Sequence, residues 1–244
     1  MNQQIDHKNE LLEKGFTTCS SIYSEKEINA ISDAILDAES TNETFRKSAD
    51  LFAIRQFLQE VPAAKDLVLN EKLKSLIYTY FGTDYFVVKS IYFDKPASSN
   101  WFVAYHQDLT ISVDTKGEIA GFGPWTVKQN QFAVQPPLAY LETNFTLRIH
   151  LDDTDENNGA LYVIPGSHLK GIYRPETIDW TVEKESICAV PCGGVMIMKP
   201  LLLHSSRKTT NDQQRRVIHI EFSASELPKP LQWSERISLI ETQL

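Results

Sequence analysis

The chain reads as mainly β with flanking α-helices, an antiparallel double-sheet jelly roll. Helical periodicity is confined to roughly residues 1–84, and short β-branched and aromatic runs broken by turns fill about 85–225. No linker rich in Gly or Ser separates the two parts. Many short strands after a run of helices bury best as stacked sheets with the helices packed outside. At 244 residues, 42% of them hydrophobic, the chain can build one sizeable core. One domain is therefore expected over 1–244: a helical preface to about 84, a jelly-roll core over about 85–225 and a tail over 226–244.

Taken in order, the first helix spans about Ser24–Glu39. Ser24 can cap it, Glu27 stands at the reciprocal position, and Ile28, Ile31, Ile35 and Leu36 make an apolar stripe. A second amphipathic stretch lies near Leu51–Leu58. A third, Pro62–Phe81, carries Leu67, Leu69, Leu73, Leu76, Ile77 and Tyr80 and stops at Gly82. From Tyr85 the pattern changes to strands: Tyr85–Phe93, Trp101–Tyr105, Phe145–Leu151, Leu161–Ile164, Gly194–Met198 and Arg216–Phe222. Asn157-Asn158-Gly159, Pro165-Gly166-Ser167 and Gly193-Gly194 are turn signals between them. The stretch 114–137 reads as a long loop. Gly121, Gly123 and Pro124 permit sharp turns there, and Phe122, Trp125 and Phe132 could cover a site mouth as a lid.

Two strands carry polar residues on one face. Thr146, Arg148, His150 and Asp152 alternate with Phe145, Leu147, Ile149 and Leu151; Arg215, Val217, His219 and Glu221 alternate with Arg216, Ile218, Ile220 and Phe222. The polar faces either meet solvent or, if helices cover the apolar faces, line an internal cavity. If Arg215 is inside, strand parity brings His219 and Glu221 with it.

His106-Gln107-Asp108 is answered a hundred residues later by His204, with Arg215 eleven positions beyond. Alternate side chains of a strand share a face, so His106 and Asp108 can grip one ion. A distant histidine completes two imidazoles and one carboxylate, which leaves coordination positions open as non-haem Fe(II) oxygenases require. A formal charge of −8 argues against nucleic-acid or anionic-membrane partners. No apolar run approaches the roughly 18–20 residues that cross a bilayer. The polar N-terminus resembles no secretory leader, and three cysteines without a CxxC motif suit a reducing compartment, as small, mostly buried thiols. A cytoplasmic monomer is the expectation.

Several segments together resemble the phytanoyl-CoA dioxygenase family of Fe(II)/2-oxoglutarate oxygenases. They are Phe93-Asp94-Lys95-Pro96, Asn100-Trp101, His106-Gln107-Asp108-Leu109, Asn158-Gly159-Ala160-Leu161, Val163 to His168 and His204 to Arg216. The resemblance covers roughly residues 10–225 and includes Gly15-Phe16. It implies a double-stranded β-helix, cupin-like core with Fe(II) held by His106, Asp108 and His204. It also implies 2-oxoglutarate and O2 as cosubstrates. Arg215 would clamp the far carboxylate of 2-oxoglutarate with its planar fork, Ser206 would donate to it, and Arg148 and Ile91 match positions beside it.

The implied reaction hydroxylates a small organic molecule and releases succinate and CO2. Asp108 bears on this, because halogenating relatives replace that carboxylate with a small residue. Lys89, Gln107, Trp125, His150 and His219 are candidate substrate contacts, while His168 reads as part of a turn. Two alternatives stand beside the hydroxylase. One is a jelly-roll metal-binding or regulatory protein without 2-oxoglutarate turnover; the other is a cupin-like metalloenzyme of different chemistry.

Overall fold

The computed structural model describes residues 2–38, 45–47, 52–97, 101–128 and 131–240. The helical part runs α1 (Asn2–Glu13), β1 (Phe16–Cys19), α2 (Glu25–Leu36), β2 (Phe45–Lys47), β3 (Phe52–Arg55), α3 (Phe57–Glu60), α4 (Pro62–Val68) and α5 (Glu71–Phe81). Then come β4 (Phe86–Lys95), β5 (Val103–His106), β6 (Ile111–Val113), β7 (Trp125–Lys128), β8 (Gln131–Val134) and α6 (Leu138–Thr143). The remainder comprises β9 (Phe145–His150), β10 (Leu161–Val163), β11 (Ser186–Cys188), β12 (Val195–Met198), β13 (His204–Ser206), β14 (Arg215–Ser223) and β15 (Ile237–Ser238).

These strands form the expected jelly roll. A large sheet has the order β1-β12-β9-β14-β4-β3-β2, with β15 also on β4, and a four-stranded sheet has the order β11-β10-β13-β5. The helices cover the outer face of the large sheet. Ile28, Ile31, Leu73 and Ile77 share one apolar core with Phe145, Leu147, Ile149, Ile218, Ile220 and Phe222. The opposite, polar faces of β9 and β14 therefore turn inward, and every residue of β9 is buried. Of the two readings of those faces, the internal one is observed.

The capped helix forms as read. Ser24 Oγ accepts from Glu27 N at 3.3 Å and Glu27 Oε2 accepts from Ser24 N at 2.7 Å, while the expected end at Glu39 lies outside the described residues. The third helical stretch is two helices, not one. Asn70 Oδ1 accepts from Leu73 N at 3.0 Å, so a capping side chain starts α5 and overrides the continuous apolar period. The stretch near Leu51–Leu58 also differs: Leu51 is outside the described residues, Phe52–Arg55 pairs with β4, and a single helical turn follows. Pairing with a partner strand outweighs an ambiguous eight-residue pattern.

The expected long loop over 114–137 contains β7 and β8, which join β6 in a three-stranded sheet. His168 does serve a turn: its Nε2 donates to Leu12 O at 3.1 Å. A Cβ on Gly15, at φ +84°, would stand 2.4 Å from its Nδ1, so only glycine permits that contact.

Candidate active site

The space between the two sheets holds a cavity of about 150 Å³, lined among others by His106, Asp108, His204, Arg148, Arg215 and His219. β13 pairs with β5 so that His204 faces His106, with ring centroids 4.2 Å apart. The Nδ1 of His106 lies 2.9 Å from Ala104 O and that of His204 lies 2.8 Å from Leu202 O. A carbonyl only accepts, so each Nδ1 carries the proton and each Nε2 presents its lone pair. Both lone pairs face Asp108, at 3.7 Å from Oδ1 and 3.8 Å from Oδ2. One ligand atom from each residue falls within 4.8 Å of the others.

Asp108 reaches this position differently from a simple strand alternation. β5 ends at His106, and Asp108 sits just past it with its N–H donating to Pro200 O at 2.9 Å. Burial pushes the His204 pKa down to about 4, so the imidazole is neutral, as a ligand must be. Burial opposes the charge on Asp108, but His204, His219, Lys89 and His106 around it hold its pKa at about 2. Two imidazoles and one carboxylate on one side of a cavity suit a divalent iron. Asp108 Oδ2 is buried without a hydrogen-bond partner, which fits the same conclusion.

Arg215 is 3% exposed and donates through Nη1 to Gly159 O at 2.5 Å; Ser206 Oγ donates to the same carbonyl at 3.0 Å. The Nε atoms of Arg215 and Arg148 are buried without partners. Two guanidiniums aimed into one cavity, without a protein carboxylate paired to either among the described residues, suit a dicarboxylate such as 2-oxoglutarate. A hydrogen-bonded chain crosses the same cavity. Arg148 Nη1 donates to His219 Nδ1 at 3.2 Å, so the His219 proton is on Nε2, which donates to Glu221 Oε1 at 3.2 Å. Lys89 Nζ donates to that oxygen at 2.6 Å.

Comparison with known proteins adds to this geometry. The profile of the family described as Phytanoyl-CoA dioxygenase (PhyH) matches residues 11–217. The chain belongs to that family. A curated relative from Stutzerimonas stutzeri, a probable alpha-ketoglutarate-dependent hypophosphite dioxygenase, is 23% identical over 91% of this chain and 79% of its own. Among solved structures, EctD from S. alaskensis with 2-oxoglutarate and 5-hydroxyectoine superposes with a TM-score of 0.70 at 17% identity. It covers 92% of this chain and 78% of that one. The 2-oxoglutarate-dependent epimerase SnoN from nogalamycin biosynthesis gives 0.67 at 15% identity, over 97% and 95% of the two chains. This phytanoyl-CoA dioxygenase family member is accordingly an iron- and 2-oxoglutarate-dependent dioxygenase, with O2 as second cosubstrate.

The remaining candidates divide. Lys89 and Ile91 line the metal cavity and also a neighbouring one of about 190 Å³ that includes Arg55, Ser112, Gln131 and Glu235. Gln107 points away from the cavity. Its Nε2 donates to Gly171 O and Leu201 O at 2.9 and 2.6 Å, and its Oε1 accepts from Tyr173 N at 2.9 Å. It is thereby placed to hold the metal-binding segment rather than to touch substrate. Trp125, expected on a lid, packs beside Val113, Val134 and Trp233 and does not line the metal cavity, because its segment is tied into the three-stranded sheet. His150 also stands outside that lining; its Nδ1 is 2.8 Å from Thr154 Oγ1. Asn100 of the family-like motif lies outside the described residues.

Phe93, Trp101, Val103 and Leu161 form an apolar lining; the sequence placed three of them in family-like segments without assigning any to a cavity. Alternation on β4 from Lys89 and Ile91 could have found Phe93; Glu235, in the tail, gives no local signal. Cys19 and Cys188 are buried, but Cys192 is exposed, since it sits in the turn before β12. No described helix is long and apolar enough to cross a membrane.

Proposed function

We propose that this family member hydroxylates a C–H bond of a small organic molecule, with His106, Asp108 and His204 as the iron ligands. The observation that supports this most is the pair of Nε2 atoms converging on one part-buried carboxylate at the wall of the cavity between the sheets. Bound there, Fe(II) supplies the oxidative decarboxylation of 2-oxoglutarate by O2, which yields succinate and CO2 and places one oxygen atom on the substrate.

The chain's own residues set the conditions. Arg215 and Ser206 orient the far carboxylate of 2-oxoglutarate, and Arg148 stands beside the cosubstrate. Phe93, Trp101, Val103 and Leu161 exclude water and receive an apolar part of the substrate. Lys89 and His219 offer polar recognition, and their orientation is fixed by Glu221 between them. Burial works against the charge of Lys89, yet Glu221 and Asp108 raise its pKa above the ordinary lysine value. The neighbouring cavity, entered past Lys89 and Ile91, would hold the rest of the molecule. Such a pocket suits a compact substrate with one polar end. Three free cysteines support the cytoplasm as the place of work.

The first test is an anaerobic titration of the Fe(II)-loaded protein with 2-oxoglutarate, followed by its visible charge-transfer band, with His204→Ala as control. A saturable band in the wild type and none in the variant is the expected result. Confirmed iron loading without a band would overturn the reading. Substrates are then screened by coupled succinate formation.

A further inference from the structure

Lys95 is 0% exposed, and among the described residues its Nζ has one hydrogen bond, to Arg207 O at 2.7 Å. No carboxylate pairs with it among the described residues. It lies two positions beyond Phe93 on the inward face of β4, and the β4–β14 register sets it opposite Arg215. Gly159 packs against its ammonium end. A Cβ there would stand 2.9 Å from Lys95 Nζ, 3.2 Å from Arg207 O and 3.4 Å from Ser206 Oγ, and the carbonyl of the same glycine accepts from Arg215 and Ser206.

An ammonium, a guanidinium and a hydroxyl thus surround one backbone unit, with no protein anion among them. Burying an unpaired ammonium is costly, and placing it near a second cation raises the cost further. An apolar side chain of similar volume would pack there without that cost. The excess positive charge becomes favourable when a dianion arrives in the cavity, because Coulomb attraction is strong where water is excluded.

We propose that Lys95 is a positioning residue for 2-oxoglutarate, supplying from behind Gly159 a second positive charge to the site that receives the far carboxylate beside Arg215 and Ser206. This rests on the 2-oxoglutarate-dependent reading above and adds a residue to it. The charged group facing Lys95 is Arg215 on β14. Ser206 brings its side-chain hydroxyl and Arg207 its backbone carbonyl, and Phe52 and Ala53 of the adjacent β3 bring no charge. Burial, with Arg215, lowers the Lys95 pKa to about 8. A bound carboxylate raises it again, so binding above pH 8 takes up a proton and affinity falls as pH rises.

The test is calorimetric titration of the anaerobic Fe(II)-loaded protein with 2-oxoglutarate between pH 7 and 9, in buffers of different ionisation enthalpy. Wild type is compared with Lys95→Met and Lys95→Arg, with iron stoichiometry measured alongside. Lys95→Met should bind iron normally but raise the 2-oxoglutarate Kd about tenfold at pH 7. It should also lose the proton uptake seen in wild type near pH 8.5, and Lys95→Arg should restore most of the affinity.

An unchanged Kd in Lys95→Met, or a raised Kd with wild-type proton uptake, would overturn the proposal. If Lys95→Met does not fold, Lys95→Arg decides: loss of the uptake near pH 8.5 with affinity retained supports the proposal, and uptake as in wild type overturns it. A wild type that binds iron but no 2-oxoglutarate at any pH would defeat the functional reading itself, a different outcome from a normal wild type beside an unaltered variant.

Discussion

Each metal-facing imidazole is held by a carbonyl two residues upstream, so the protein fixes the tautomer before any ion arrives. Gln107 does the corresponding work for the segment between them, tying it to Gly171, Leu201 and Tyr173. Gln107→Leu keeps the volume but removes these ties. It should weaken Fe(II) binding about 10- to 100-fold while leaving the fold intact, as read by equilibrium iron titration and circular dichroism. Unchanged iron affinity would mean that the backbone alone positions Asp108. Arg215→Ala separates the other function. Iron binding should persist, and the Kd for 2-oxoglutarate should rise by about 10- to 150-fold, the usual range for a charged hydrogen-bonding partner. An unchanged Kd would move the clamp to Arg148. That His106, Asp108 and His204 would come together was legible from residue types and spacing, whereas Arg215 entered through the family resemblance and the structure shows only that it lines the same cavity. Lys95 was passed over because its importance depends on the register with Arg215 and on the missing Cβ of Gly159.

At the scale of elements, helices and strands were legible where one pattern dominated and illegible where two competed. Ser24 with Glu27 announced a helix start, and the structure forms both reciprocal bonds. Asn70 was hidden inside an apolar period that ran through it, although its side chain starts a second helix. The segment over 114–137 showed turn residues, and its two short strands became visible only through pairing with β6. These elements make the cap at Asn70 a structural test away from the chemistry. Asn70→Ala removes the acceptor for Leu73 N and should cost about 1 kcal/mol in urea unfolding. The kcat should not change, since α5 packs on the outer face of the large sheet. A loss of activity without a loss of stability would mean that α5 reaches the site by a route other than packing.

Across the whole molecule, the C-terminal segment fastens parts that are distant in sequence. Ser234 O accepts from Gln56 Nε2 at 3.3 Å, Leu239 O accepts from Tyr78 OH at 3.1 Å, and β15 pairs with β4. Glu235, in the middle of this segment, is 1% exposed, with its carboxyl against Ser90 N and Oγ. Burial pushes its pKa up to about 7 from an ordinary value of 4.5. The folded state therefore holds a proton that the unfolded chain releases between those values. Its stabilising contribution is full below pH 4.5 and is lost as pH rises through 7. The loss is on the order of 3 kcal/mol for a carboxyl this deeply buried. Glu235→Gln keeps a donor and an acceptor for Ser90 but cannot ionise. It should match wild type in urea unfolding near pH 4.5 and exceed it progressively up to pH 8. A difference independent of pH would show that Glu235 enters the fold already charged.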